Sequence, residues 1–385
     1  MKKPGIWQTV GVAGGVVGAA ATGVAVGAAA RKRKQIATAR RRLATQMSEG
    51  SSEPGVLPPG EPSSVTADDG VRLSCEEIDL TGDPADPDDA AVLTVVLVHG
   101  FALDRRTWHF ERRSLAELVD PPVRLVLYDQ RSHGRSERAS RESCTIEQLG
   151  RDLDAVIRAL APEGPLVLVG HSMGGMTIMA LAEEHPELFA ERVLGVALVS
   201  TSAGEVGSAG LPGALLSRRN PLIRGVGLLA RLQPTLVDVV RGVAGDLIWA
   251  ITRSFAYGDR SVAPWLVDLV DTMISSNAVD ALTDFVDTVG SHDRVAALPA
   301  LAGCEVLVAA GEADRVIPYS HSERIAAELP DATFVRFPGV GHLPMLEQHA
   351  TMDEALVAFL RRSAARIDTV AGETRTRPKR SRRRA

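Results

Sequence analysis

From residue 91 to residue 362 the chain alternates between two kinds of apolar pattern. Ala91–Val98, Val123–Tyr128, Leu166–Val169, Val193–Val199, Glu305–Ala310 and Thr333–Phe337 are short runs dominated by apolar residues. Such runs, bounded by glycine, proline and polar turn residues, read as strands buried on both faces. Ile146–Leu160 instead places apolar residues at 146, 149, 153, 156, 157 and 160, the spacing of an amphipathic helix. A second helix, of about fifteen residues, is expected to begin near Met345. Val71–Leu80 alternates weakly and reads as an early antiparallel strand. Strands alternating with helices predict an α/β class protein built on a largely parallel sheet.

One strand end stands out. Leu166–Val169 runs straight into Gly170-His171-Ser172-Met173-Gly174, and an apolar helical stretch starts at once. This is G-x-S-x-G in a strand–turn–helix setting. A serine hydroxyl is a weak nucleophile unless it is exposed and held against a base. A sharp turn exposes Ser172 but crowds the backbone, and Gly170 and Gly174 relieve that crowding. His171, beside the serine, reads as a supporting residue. The Met173 amide, at the helix start, points toward the place where a reacting carbonyl would sit.

Two further strand ends carry polar loops. Ala91–Val98 ends in His99-Gly100-Phe101, and the Phe101 amide is the candidate second oxyanion donor beside Met173. His99 and Asp104 also match an H-x-x-x-x-D acyltransferase pattern, but a histidine at a strand tip reads as structural. Val123–Tyr128 is followed by Asp129-Gln-Arg-Ser-His-Gly-Arg-Ser136, in which His133 also reads as structural.

Taken together, His99-Gly-Phe101, Asp129-x-Arg-x-His-Gly-x-Ser136 and Gly170-His-Ser-Met-Gly-Gly175 resemble the α/β-hydrolase superfamily in its serine esterase, lipase and haloperoxidase-like branch. The resemblance covers about residues 65–362. It implies an eight-stranded, mostly parallel sheet flanked by helices, a nucleophile elbow, and the chain order nucleophile, acid, histidine. That order is met. Asp314 lies just past the Glu305–Ala310 strand in a loop bounded by Gly311 and Pro318, a setting that suits an acid orienting a histidine. His342 follows Thr333–Phe337 in the glycine-flanked loop Gly339-Val-Gly-His342. Some relatives carry the acid after an earlier strand, but here that position reads Ser200-Thr-Ser202 and holds no carboxylate. A serine at the elbow also argues against haloalkane dehalogenase and epoxide hydrolase chemistry, for which those relatives use aspartate.

The remaining segments read differently. Residues 1–42 hold an uncharged Val/Ala/Gly stretch, Pro4–Ala30, between Lys2-Lys3 and Arg31-Lys-Arg-Lys34. About 20 apolar residues span a bilayer, so the length suffices for a single anchor. Small residues four apart, such as Gly11 and Gly15, would allow close helix approach in a membrane. The heavier positive flank would leave the folded domain on the cytoplasmic side. A cleaved export signal ending near Ala28-Ala29-Ala30 and a flexible low-complexity leader are the alternatives. Residues 43–64 read as linker, 65–200 with 292–362 as the catalytic domain, 201–291 as an inserted helical cap, and 363–385 as a basic disordered tail. Within the insertion, Leu211–Leu232 mixes apolar residues with Arg218, Arg219, Arg224 and Arg231, either lid packing or a cationic apolar face. Trp249, Phe255, Trp265, Met273 and Phe285 are candidates to line an acyl pocket, with core packing as the other reading.

The net charge of −5 is unremarkable, but both ends are basic, so the middle is acidic. No folded nucleic-acid reader accompanies the tail, and no nucleic-acid partner is expected. The three cysteines, Cys75, Cys144 and Cys304, form neither a disulfide framework nor a zinc motif. His109, His185, His292, His321 and His349 lack metal-ligand spacing, and no metal or cofactor is expected. The resulting expectation is a serine hydrolase acting on a small-molecule acyl ester through Ser172, His342 and Asp314. A perhydrolase or acyltransferase with the same three residues, and a catalytically silent binding protein, are the alternatives.

Overall fold

A computed structural model describes residues 57–58, 60–80, 91–206, 252–259 and 261–367. The expected N-terminal anchor, the Leu211–Leu232 stretch, Trp249 and the tail beyond residue 367 lie outside the described residues. Among the described residues, no helix is long and apolar enough to cross a membrane.

Eight strands form one sheet: β1 (Glu61–Thr66), β2 (Arg72–Ile78), β3 (Leu93–Val98), β4 (Val123–Tyr128), β5 (Leu166–His171), β6 (Val193–Val199), β7 (Glu305–Gly311) and β8 (Thr333–Phe337). Their order across the sheet is β1-β2-β4-β3-β5-β6-β7-β8. β1 and β2 pair antiparallel, as do β2 and β4, and the rest are parallel. The apolar runs therefore sit where both faces are covered. Val95 and Leu97 face one core layer, and Val96 and Val98 face the other. This two-residue alternation repeats in β4, where Leu125 and Leu127 oppose Val126 and Tyr128.

Helices among the described residues include α1 (Glu111–Ala116), α2 (Ile146–Leu160), α3 (Met173–Glu184), α4 (Pro186–Glu191), α5 (Pro264–Ser276), α6 (Val279–Gly290), α7 (Ser320–Glu328), α8 (Pro344–Glu347) and α9 (His349–Ala364). α9 covers one face with Met352, Leu356, Phe359 and Leu360. α2 and α3 cover the other, with Leu153, Val156 and Ile157 meeting Ile178, Met179 and Leu181. α2 occupies the span its periodicity predicts. Its start is fixed by Thr145, whose hydroxyl accepts from the Gln148 amide. α5 and α6 fall between β6 and β7, inside the stretch read as an insertion.

Three expectations need correction. The stretch read as linker to residue 64 already contains β1, whose Pro62 and exposed Glu61 hid an edge strand from a pattern search. The single helix expected from Met345 is two, α8 and α9, broken at Gln348 by its non-helical backbone (φ −131°, ψ 55°). Finally, α9 continues to Ala364, so the first residues assigned to the tail are helical, and Ser363 is fully buried.

One buried ion pair ties the loop after β4 to α2. Arg131 is completely buried, and Asp152 receives its Nε and Nη2 hydrogen bonds, each at 2.6 Å. Asp69 takes a third bond from Nη1 at 2.7 Å. Removing Asp152 would leave the buried guanidinium only the partly exposed Asp69 as a counter-charge. Asp152→Ala is expected to cost about 3–5 kcal/mol of stability, and Arg131→Met/Asp152→Leu far less. Urea unfolding of both variants checks this; similar losses would show that packing, not the stranded guanidinium, sets the cost.

Candidate active site

The parallel strands deliver the candidate residues to one rim of the sheet. Phe101 follows β3, Ser172 follows β5, Asp314 follows β7 and His342 follows β8. Chain order reverses at β3, with β4 on one side and β5 on the other. Such a switch point is where open α/β sheets hold ligands.

Ser172 sits between β5 and α3 with φ +52° and ψ −118°, a conformation that a non-glycine residue adopts only under constraint. Its neighbours supply the constraint. A Cβ at Gly170 would lie 2.6 Å from the Gly174 carbonyl oxygen, and one at Gly174 would overlap the Val98 carbonyl. A Cβ at Gly175 would meet the Thr201 hydroxyl at 2.6 Å. The Ser172 amide donates to the Val199 carbonyl at 2.9 Å, and Thr201 Oγ1 donates to the Ser172 carbonyl at 2.6 Å. The elbow is thus gripped from β3, β6 and the loop after β6.

The structure brings Asp314 and His342 into direct contact. His342 Nδ1 lies 2.8 Å from Asp314 Oδ2. Asp314 Oδ1 accepts from the amides of Val316 and Ile317 at 2.8 and 3.0 Å, which fixes the carboxylate in its loop. The His342 amide donates to the Ala256 carbonyl at 2.8 Å. Glu347 holds the same loop by accepting from the amides of Gly341, Gly258 and Asp259 at 3.0, 3.0 and 2.8 Å. Burial raises the Glu347 carboxyl above its ordinary range despite those donors. His171 Nε2 donates to the His342 carbonyl at 3.0 Å, and the two rings are 4.7 Å apart. The serine's neighbour therefore anchors the backbone of the histidine. Ser172, Asp314 and His342 are each only 7 to 8 % exposed.

The loop carrying Phe101 closes on the serine. A Cβ at Gly100 would lie 2.7 Å from His171 Nδ1 and 3.0 Å from Ser172 Cβ, so glycine is what permits this approach. His99 Nδ1 is 2.8 Å from the Gly100 carbonyl, which only accepts, so that nitrogen carries the proton. His99 Nε2 in turn accepts from the Gln130 amide at 2.8 Å. Both ring nitrogens are used, and His99 has no proton to exchange with a substrate; the acyltransferase pattern reduces to a structural histidine. Its bond to the Gly100 carbonyl orients the peptide whose N–H belongs to Phe101. Gln130 completes the support, donating to the His99 carbonyl at 2.6 Å and accepting from Thr177 at 2.8 Å.

Among the described residues, the candidates Phe255, Trp265 and Phe285 share no common cluster. Trp265 packs edge-on against Phe110 and His109, at 5.8 and 5.5 Å between ring centroids, beside a core cluster that contains Met273 but neither Phe101 nor Met173. Phe255 is 38 % exposed. The apolar residues grouped with the elbow are instead Met173, Met176, Phe285 and Ile317, with Phe101 and Val316 against them. Of these, Phe285 is the one that the sequence offers as an acyl-pocket candidate, with core packing as the other reading. Met176 and Ile317 are ordinary core residues in the sequence, marked only by standing three or four positions after Ser172 and Asp314.

Burial depresses four histidines around this rim. His99 and His171 titrate below the ordinary imidazole range, His133 falls to about 3 and His292 to about 4. In His171 the neighbouring His342 adds to the burial effect, and in His133 His99 does.

A family model described as the alpha/beta hydrolase family matches residues 95–355. The chain belongs to that family. Its sequence is 26% identical over 282 residues to the sn-1-specific diacylglycerol lipase ABHD11 of Mus musculus, covering 71% of this chain and 82% of the lipase. It is 25% identical over 308 residues to the 2-hydroxy-6-oxononadienedioate/2-hydroxy-6-oxononatrienedioate hydrolase of Cupriavidus pinatubonensis (strain JMP 134 / LMG 1197), covering 77% and 94%. Among solved structures it is similar to a thermophilic esterase from Thermogutta terrifontis, with a TM-score of 0.60 and 25% identity over 79% of this chain and 99% of the esterase.

Because His133 is neutral when folded and gains a proton near 6.5 when unfolded, it opposes folding as pH falls below 6.5. Its contribution is about 1.4 kcal/mol lost between pH 7.5 and 5.5. His133→Gln is expected to flatten the fall in stability over that window by this amount. Denaturant unfolding at the two pH values measures it, and parallel curves for parent and variant would rule it out.

Proposed function

We propose that the chain is a serine hydrolase that cleaves carboxylic esters of fairly apolar acids through an acyl-enzyme on Ser172. The observation that carries this reading is the 2.8 Å contact between His342 Nδ1 and Asp314 Oδ2, on the rim where the strained Ser172 elbow stands. A carboxylate that holds Nδ1–H leaves Nε2 as the basic nitrogen of the ring. His342 Nε2 takes the Ser172 proton as Oγ attacks the ester carbonyl. The Phe101 and Met173 amides donate to the oxyanion of the tetrahedral intermediate. Collapse of that intermediate breaks the C–O bond, and His342 returns the proton to the leaving alcohol. Water then attacks the acyl-enzyme along the same route, giving the free acid and the original serine. Asp314 fixes the ring and stabilises its cationic form without itself taking the proton.

The acyl preference is supported by the apolar group of Phe101, Met173, Met176, Phe285 and Ile317 at the elbow. Similarity to a lipase and an esterase supports the same class of bond. The substrate is therefore a small acyl ester whose acid is apolar, with α5 and α6 acting as part of a cap over the rim.

A fluorophosphonate probe is expected to label the protein, and Ser172→Ala is expected not to be labelled. Turnover of p-nitrophenyl esters of graded chain length is expected to fall by about 10⁴-fold or more in Ser172→Ala and in His342→Ala, and by a similar order in Asp314→Asn. Equal labelling of parent and Ser172→Ala would dispose of the serine mechanism. A folded parent that is neither labelled nor active on any ester would favour a silent binding protein.

A further inference from the structure

Asn277 joins two helices that lie between β6 and β7: α5 ends at Ser276 and α6 begins at Val279. Nothing in its sequence context marks it. In the folded chain it is only 3 % exposed, and it reaches into the rim described above. Its Nδ2 donates to the Ala102 carbonyl at 2.9 Å and to the Met273 carbonyl at 2.9 Å. Its Oδ1 accepts from the Gly134 amide at 3.1 Å. Carbonyls only accept and amides only donate, so these partners fix which end of the side chain is which.

Ala102 immediately follows Phe101 and has φ +63°, the left-handed region that alanine avoids. The loop is therefore held in a conformation its own residues do not favour. His99 pins the peptide before Phe101 through the Gly100 carbonyl, as described above. Asn277 pins the peptide after Ala102 through the Ala102 carbonyl. The Phe101 N–H belongs to the first of these fixed peptides, and Asn277 holds the turn that follows it.

We propose that Asn277 is a positioning residue for the oxyanion site: by holding the Ala102 carbonyl from the α5–α6 junction, it braces the turn after Phe101 and so keeps in place the Phe101 amide that His99 orients. This inference rests on Phe101 serving as an oxyanion donor, as proposed above. It also gives the inserted helices a second part in the reaction. They complete the donor geometry as well as cover the site. The Arg138–Asp284 ion pair fastens α6 to the polypeptide just beyond Gly134, so the junction is anchored on the core side as well.

The test uses the full chain, a p-nitrophenyl ester, and an alkyl trifluoromethyl ketone, whose adduct with serine places an oxyanion in the same donors. In Asn277→Ala, kcat is expected to fall about tenfold, less than the 10²–10³ of losing a donor outright. KM should stay within about twofold, and ketone affinity should fall by the same factor as kcat, because only the oxyanion-bearing state is affected. Asn277→Asp retains an acceptor for Gly134 but sets a carboxylate against the Ala102 carbonyl, and should lose at least as much. Glycine takes φ +63° without strain, so adding Ala102→Gly to Asn277→Ala should recover kcat by about threefold.

Ser172→Ala runs alongside. A Ser172→Ala variant as active as the parent would end the serine reading itself. An inactive Ser172→Ala with Asn277→Ala at parental kcat would remove only the role of Asn277. A loss of kcat with ketone affinity unchanged would overturn it too. So would a loss fully accounted for by a smaller folded fraction, with no recovery on adding Ala102→Gly.

Discussion

The close approach of the β5–α3 turn to the end of β3 is the constraint on which the rim depends. Ser172 takes a backbone conformation worth roughly 1–3 kcal/mol of strain, and it keeps it only because the surrounding chain leaves no alternative. Side chains at Gly170, Gly174 or Gly175 would drive into backbone or into Thr201. A Cβ at Gly100 would drive into His171 and Ser172. Four glycines thus let three chain segments meet at distances that no other residue permits. The hydroxyl stands at the crest of that contact because the backbone beneath it cannot relax.

Around this contact the polar groups are rigid and neutral. His99 and Gln130 lock each other, and His171 clasps the backbone of His342. Burial keeps these rings uncharged, so they act as fixed donors and acceptors rather than as competing bases. This leaves His342 as the rim histidine paired through its side chain to a carboxylate. The difference follows from environment: the imidazoles of His99 and His171 are tied to backbone groups, whereas that of His342 meets the carboxylate of Asp314.

Much of this was legible in the sequence. The parallel strands showed as continuous apolar runs because both faces of the sheet are covered. Ser172, Asp314 and His342 showed because each sits in a short polar or glycine-rich loop directly after such a run. What stayed hidden depends on contacts between distant segments. β1 was missed because an edge strand buries little, and its burial pattern is mostly exposed. For Trp265 the sequence leaves pocket lining and core packing open, because a large aromatic carries no sign of which layer it packs into; in the fold it packs against a core cluster. Glu347 and Asn277 were invisible for the same reason: each acts by hydrogen-bonding to backbone amides or carbonyls from other loops, and backbone has no signature in a list of side chains.

The direction of the first strand has a geometric consequence. β1 runs antiparallel to β2 and β2 antiparallel to β4, so β1 ascends with the parallel set. The polypeptide therefore threads into the sheet from below, at the pole opposite the loops that carry Phe101, Ser172, Asp314 and His342. The start of β1 at Glu61 and the rim that carries Ser172 lie at opposite ends of the strands.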